Sequence, residues 1–177
     1  MNNLSLPDIL EQILATDSEP DAVFSALLPA LGEVLQCHRC FLYLRNPHTK
    51  IGKIDNCWLR SDRYPDVTDS DWKAEPESLP DEDPLFAAAL RTKPSIFVED
   101  VEAANPEVVN RDFERKSFGH RALIHSHLCQ DGLLWGILQP CLFEQPRVWT
   151  DFDHFIITQI EKQITPLAIT YVKTNCP

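Results

Sequence analysis

Two short stretches concentrate the side chains that bind metals or form bonds. The first, Cys37-His38-Arg39-Cys40, puts two thiols and an imidazole side by side. Zinc needs four ligands converging at tetrahedral geometry, and a second paired motif is missing, so both thiols are expected to be small buried apolar groups at the start of a strand. The second stretch is Leu123-Ile-His125-Ser-His127-Leu-Cys129. In a strand Leu123, His125, His127 and Cys129 share one face. A His-x-His pair on one face suits a metal, but no carboxylate or further histidine is placed to complete a shell. The pair is therefore expected to line a pocket, and the chain is read as holding no metal.

Two guanidinium groups, Arg111 and Arg121, have the forked shape that pairs with carboxylates. Their expected partners are the protein's own acids. Trp58, Trp72, Phe86, Phe97 and Phe118, with Leu90 on the same helical face as Phe86, supply apolar surface that either lines a cavity for a flat ligand or fills it. There is no Ser-His-Asp order, no phosphate-binding loop and no dinucleotide glycine pattern. The chain is read as non-catalytic and without a cofactor.

A net charge of −11 over 177 residues opposes binding to nucleic acid or anionic lipid. Nine of the acids fall between residues 61 and 83, against only Arg63 and Lys73. This run reads as a solvated loop, and its length is that of a lid, a binding segment or an insertion. With no export signal or membrane span, the protein is expected in the cytoplasm with its six cysteines reduced.

The elements that must position these residues follow from periodicity. "PDILEQILA" and "AVFSALLPALGEVLQ" repeat apolar residues at helical spacing, the second bent at Pro29. "RCFLYLR" and "IDNCWLR" read as paired strands. "DPLFAAALRT" is a short helix capped by Asp83, "PSIFVEDV" a strand, and "NPEVVNRDF" a second short capped helix. "RALIHSHLC" and "LLWGILQPC" form a hairpin through Asp131-Gly132. A long helix follows from Thr150 or Asp151, with a kink expected at Pro166. The fold class is α+β: a central antiparallel sheet, terminal helices on one face, and short helices plus loops forming a pocket on the other.

That order of elements, with Trp135-Gly136 followed by Pro146-Arg147-x-Trp149 before the last helix, resembles a GAF domain. It is similar in particular to the bilin-binding GAF domains of phytochromes and cyanobacteriochromes. The resemblance implies a bilin-attachment Cys-His pair at the positions held by Asn110 and Arg111. It implies a second thiol, in some relatives, at the position of Leu85, and a histidine at the position of Cys141. Asparagine and leucine offer no nucleophilic sulfur, so covalent attachment at the usual places is not expected. The one catalytic activity the resemblance raises, free methionine sulfoxide reduction, uses cysteines in glycine-rich loops, and no Gly-x-Cys loop occurs here.

The expected organisation is a helical extension over 1–19, a GAF domain over 20–172 and a tail over 173–177. The expected function is a regulatory, protein-interaction module that homodimerises through its terminal helices, with Phe155, Ile157 and Ile169 lying off the main apolar line of the last helix. An unidentified protein partner would receive its signal. Two alternatives stand beside it. One is non-covalent sensing of a small flat or acidic molecule; the other is thiol redox sensing through Cys141 or Cys176. The pocket candidates are Trp58, Phe86, Leu90, Phe97, Asn110, Arg111, Phe118, Arg121, His125, His127 and Cys141.

Overall fold

In the computed structural model, residues 3–177 are described. Two helices open the chain, α1 (Asp8–Ala15) and α2 (Pro20–Val34), followed by strands β1 (Arg39–Asn46) and β2 (Ile51–Leu59). The acidic segment then carries a short strand β3 (Lys73–Ala74) and a helical turn α3 (Leu79–Glu82). Next come α4 (Pro84–Leu90), β4 (Ile96–Val98), α5 (Arg111–Ser117), β5 (Ala122–Gln130), β6 (Leu133–Leu142) and α6 (Asp151–Asn175). The strands form one antiparallel sheet in the order β3-β2-β1-β6-β5-β4.

The two faces of the sheet differ in chemistry. Cys40, Leu42 and Leu44 of β1, Ala122, Ile124 and Leu128 of β5, and Leu138 of β6 meet the terminal helices. Leu10, Phe24, Leu27, Leu31, Ile156, Ile160 and Ile164 complete that main core. Leu10 is fully buried in it, so α1 packs into the core. Ile157 and Ile169, expected to present a second apolar face, are 1 % and 8 % exposed within the same core.

Local signals explain the element ends. Asp131 and Gly132 both adopt positive φ, as a two-residue hairpin with the right-handed strand twist demands. Thr150 and Asp153 form a reciprocal capping box that starts α6. Helices α2 and α6 continue through Pro29 and Pro166. The short helix expected from Asn105 instead begins at Arg111, capped by Asn110. Asn105 bonds the Glu107 amide at 2.9 Å, closing a local turn that does not extend into a helix.

The Trp-Gly and Pro-Arg-x-Trp motifs are structural. A Cβ at Gly136 would lie 2.6 Å from the Tyr43 carbonyl oxygen, so strands β1 and β6 tolerate only glycine there. Arg147 donates to the Leu35 carbonyl and to both Asp153 oxygens at 3.1 Å, and its guanidinium lies over the Trp149 ring. The Trp149 indole donates to the Val98 carbonyl at 3.1 Å. These bonds tie the β6–α6 corner to α2 and β4.

Candidate functional site

On the sheet face away from the terminal helices, Phe41 and Gln139 are register partners, and so are Tyr43 and Ile137. His125 lies level with Gln139, between the Leu123–Cys141 and Ser126–Leu138 pairs of the β5–β6 ladder. These side chains, with Ile54 of β2, floor a cavity of about 380 Å³. Phe86 of α4 and Phe113 and Phe118 at α5 form its walls, and the acidic segment from Val67 to Leu79 forms its roof. The volume falls within the range of about 300–1,000 Å³ usual for small-molecule sites.

Most acids of the 61–83 run are exposed, as its composition implied, but Asp69, Glu75 and Asp83 are drawn inward. Arg45 is 3 % exposed and donates to both oxygens of Glu75, at 2.5 and 3.0 Å. Tyr43 donates to the same carboxylate at 3.0 Å, and β3 pairs with the start of β2. A guanidinium taken out of water requires a counter-charge, and the acidic segment supplies it. Asp69 accepts from the Ile54 amide at 2.8 Å and from Lys73 at 2.6 Å. Further along, the fully buried Arg39 donates to the Pro65 and Phe118 carbonyls.

The histidine pair has a definite proton arrangement. His127 Nδ1 lies 2.7 Å from the Lys93 carbonyl, which can only accept, so that nitrogen carries the proton. His127 Nε2 then accepts from His125 Nδ1 at 2.8 Å. Burial holds both rings below the usual histidine range, His125 well below, so both are neutral. His125 therefore directs an unprotonated Nε2 outward from the pair. It borders the cavity.

Two carboxyls at the α4–α5 wall behave differently. Asp83 accepts from the Leu85 amide at 3.0 Å as the α4 cap, but burial and then the Glu114 charge raise it to about 7. Glu114 lies 2.5 Å from His120, and both are buried. Burial opposes the His120 charge, but the contacts with Cys141 and Glu114 outweigh it and raise its pKa.

Of the residues expected at a pocket, Phe86, Phe118 and His125 border the cavity. The others are placed elsewhere. Trp58 lies on the helix face, packed so closely under α2 that a Cβ at Gly32 would come within 2.1 Å of its ring. Trp72 also packs on the main core, tilted against Tyr171. Phe97 pairs in register with Ile124 and stacks on His154 of α6 at 3.7 Å, again on the helix face. Leu90 packs beside Phe86 and Leu134 without reaching the cavity. His127 acts behind His125.

Asn110 is spent as the α5 cap and as a donor to the Glu82 carbonyl at 2.8 Å. Arg111 donates to the Glu102 carbonyl, and Arg121 pairs with Asp100 at 2.5 Å. Both thus meet the acidic 99–102 segment. Cys141 is fully buried among Leu85, Val98 and Leu123. Cys37 and Cys40 are fully buried too, and burial raises their thiols.

Sequence reasoning missed Gln139, Glu75, Asp83 and Glu114 as wall residues. Gln139 had a readable signal: a carboxamide inside the apolar run "LLWGILQPC" must be satisfied somewhere. Among the described residues no helix is long and apolar enough to cross a membrane, and no group of three or more His, Cys, Asp or Glu is placed to hold a metal.

The fold agrees with the comparisons. The family model of the GAF domain matches residues 19–164, and the chain belongs to that family. No curated protein matches the chain in sequence. Among solved structures, it is similar to the phycocyanobilin-bound GAF domain of a cyanobacterial phytochrome, with 16% identity, TM-score 0.73, and 96% of this chain and 98% of that one covered. It is also similar to the PixJ GAF domain of Thermosynechococcus elongatus in its blue-light-absorbing form (16% identity, TM-score 0.62, 96% and 91% covered). A third is the GAF domain of an Acinetobacter phosphoenolpyruvate-protein phosphotransferase (9% identity, TM-score 0.68, 94% of each chain). At these identities the likeness is one of fold.

Proposed function

We propose that this GAF domain is a regulatory sensor that holds a small flat molecule in the cavity without a covalent bond. One observation carries the reading. The Gln139 carboxamide is 3 % exposed, borders the cavity and hydrogen-bonds no protein group among the described residues. The buried atoms left without a partner among the described residues are Arg39 Nε and His120 Nδ1, so the Gln139 amide is not sealed away but opens onto the cavity, where its donors and acceptor are free for a ligand.

Among the described residues no cysteine borders the cavity. That supports the expectation that the scaffold of the bilin-bound relatives is used here without their linkage. The thiol redox alternative has weaker support: Cys141 is enclosed, and burial raises rather than lowers the Cys176 thiol. Non-catalytic action and a protein partner that receives the signal remain part of the proposal. A homodimer through the terminal helices would use Ile9 of α1, which is exposed, and the half-buried Phe155 of α6, because Ile157 and Ile169 are taken by the chain's own core.

The test is to purify the protein from its native host and compare its mass under native and denaturing conditions, then to follow melting with phycocyanobilin, haem and cyclic nucleotides. A bound molecule that is released on denaturation is the expected result. Protein that emerges at its bare mass, with a melting point indifferent to every addition, would overturn the reading.

A further inference from the structure

Resting on that reading, we infer that the roof between Pro65 and Leu79 is a gate, latched at Glu75, that opens the cavity while the sheet and the main core stay folded. From Pro65 to Glu82 no residue is buried. The apolar contribution of the roof is slight: Val67, Ala74, Pro76 and Leu79 border the cavity, and Trp72 leans on Tyr171. A segment that buries so little apolar surface is held by polar contacts, and such segments open at a lower free energy than the whole molecule unfolds.

Those contacts come largely from β1. Arg39, Phe41, Tyr43 and Arg45 alternate onto one face of it, so two guanidinium groups stand at opposite ends of an aromatic floor. Arg39 fixes one end of the roof. It is fully buried, lies over the Phe41 and Phe143 rings and donates to the Pro65 and Phe118 carbonyls, while its Nε has no acceptor. Release of Pro65 would strand a second N–H of a charge already short of partners, so this end is the pivot. Asp83, buried as the α4 cap, fixes the other end, its amide bonded to the Leu79 carbonyl at 2.8 Å.

Glu75, between these ends, behaves differently. Its side chain and that of Arg45 are 7% and 4% exposed, and their paired bonds, with the Tyr43 contact, cross from roof to floor. Opening returns both charges to water. Attraction within a buried pair is largely offset by the hydration both partners forgo, so parting them into solvent costs far less than burying either one alone. The remaining crossings, Asp69 to Ile54 and β3 to the start of β2, are hydrogen bonds to backbone groups that water can replace. Within the roof, Lys73 bonds Asp69 at 2.6 Å and Asp66 accepts from the Thr68 amide at 2.8 Å, which lets the segment move as one piece.

The experiment places a reporter thiol on the cavity floor by Gln139→Cys and follows its labelling with N-phenylmaleimide by peptide mass, in the full chain and below the urea unfolding transition. Labelling should be slow and depend only weakly on urea, because opening the roof exposes little surface. Adding Glu75→Gln strips the Arg45 charge of its counter-ion when the roof is closed, and should speed labelling about tenfold or more. Adding instead Ile51→Cys and Ala74→Cys, register partners on β2 and β3, should slow it about tenfold or more once that pair is oxidised, and reduction should restore the rate. Labelling that rises with urea in step with unfolding would mean that the cavity opens only when the molecule does, and the gate falls. A rate that ignores either the latch or the lock places the mouth elsewhere and overturns it too. Neither result touches the sensor reading, which the native-host mass decides by itself. Melting curves of each variant establish that it folds.

Discussion

Asp83 shows how one position serves structure and site at once. Its carboxyl caps α4, yet burial and the neighbouring Glu114 raise it from the usual 3.8 to about 7, with His120 partly offsetting that rise. An acid whose pKa is raised on folding binds its proton more tightly in the native state. Stability from this group is therefore greatest at low pH and is lost as pH rises between those two values. Asp83→Asn keeps a capping oxygen without the charge. It should exceed wild type in stability by about 1–3 kcal/mol at pH 8, with the advantage shrinking toward pH 5, as read by urea unfolding. An advantage that does not change with pH would deny the buried carboxyl its role. Gln139 makes the complementary case. Gln139→Leu removes an amide that no protein group holds, so the ligand-free protein should unfold within about 1 kcal/mol of wild type. A clear loss of stability would mean that the amide serves packing rather than binding.

At the scale of elements, the sequence motifs prove to be joints. Arg147 joins the β6–α6 corner to α2, and its loss leaves Asp153, whose side chain is 4% exposed, without its cation. Arg147→Met should lower stability by about 2–4 kcal/mol in denaturant unfolding and leave ligand affinity unchanged. Gly32 allows α2 to rest on Trp58 of β2. Gly32→Ala should cost about 1–3 kcal/mol by overpacking, and Trp58→Leu in the same chain should recover most of it. If the two losses simply add, the helix is not seated on that ring. A second joint runs from the cavity to α6. The His127 amide donates to Ser95 Oγ at 2.9 Å, and Ser95 and Ser126 both donate to Glu161 on α6. Burial raises the Glu161 carboxyl, and the two serine bonds hold it down. Ser126→Ala should raise it further, visible as an upward shift of its titration by NMR.

For the whole molecule, the main core gathers both chain ends. Leu10 is buried with α2, α6 and the sheet, so α1 should unfold with the rest. Leu10→Ala should lower stability by about 2–5 kcal/mol in a single transition seen alike by far- and near-ultraviolet circular dichroism. An early separate step confined to helix signal would show that residues 1–19 are an independent extension. The acidic segment belongs to this scale as well. Most of its charges are exposed, but Glu75 is not, because Arg45 and Tyr43 on a strand far earlier in the chain take its carboxylate, which composition does not record.

The order and type of the main elements, the hairpin turn and the α6 cap were legible in the sequence, because periodicity, Asp-Gly and Thr-x-x-Asp act within a few residues. The alternation along β5 was legible for the same reason, and so was the burial of Cys37 and Cys40. Which aromatic residues face the cavity was not. Ile54 and Trp58 have the same parity along β2, yet the bulge that leaves Asp55 out of the pairing puts Ile54 opposite Tyr43 on the cavity face and Trp58 opposite Cys40 on the helix face. Phe97 was drawn to α6 by a strand edge that pairs only in the folded sheet. Local chemistry along the chain set the frame. The cavity, the free amide on its floor and the docking of its roof were decided by contacts between residues distant in sequence, which exist only once the sheet has closed its register.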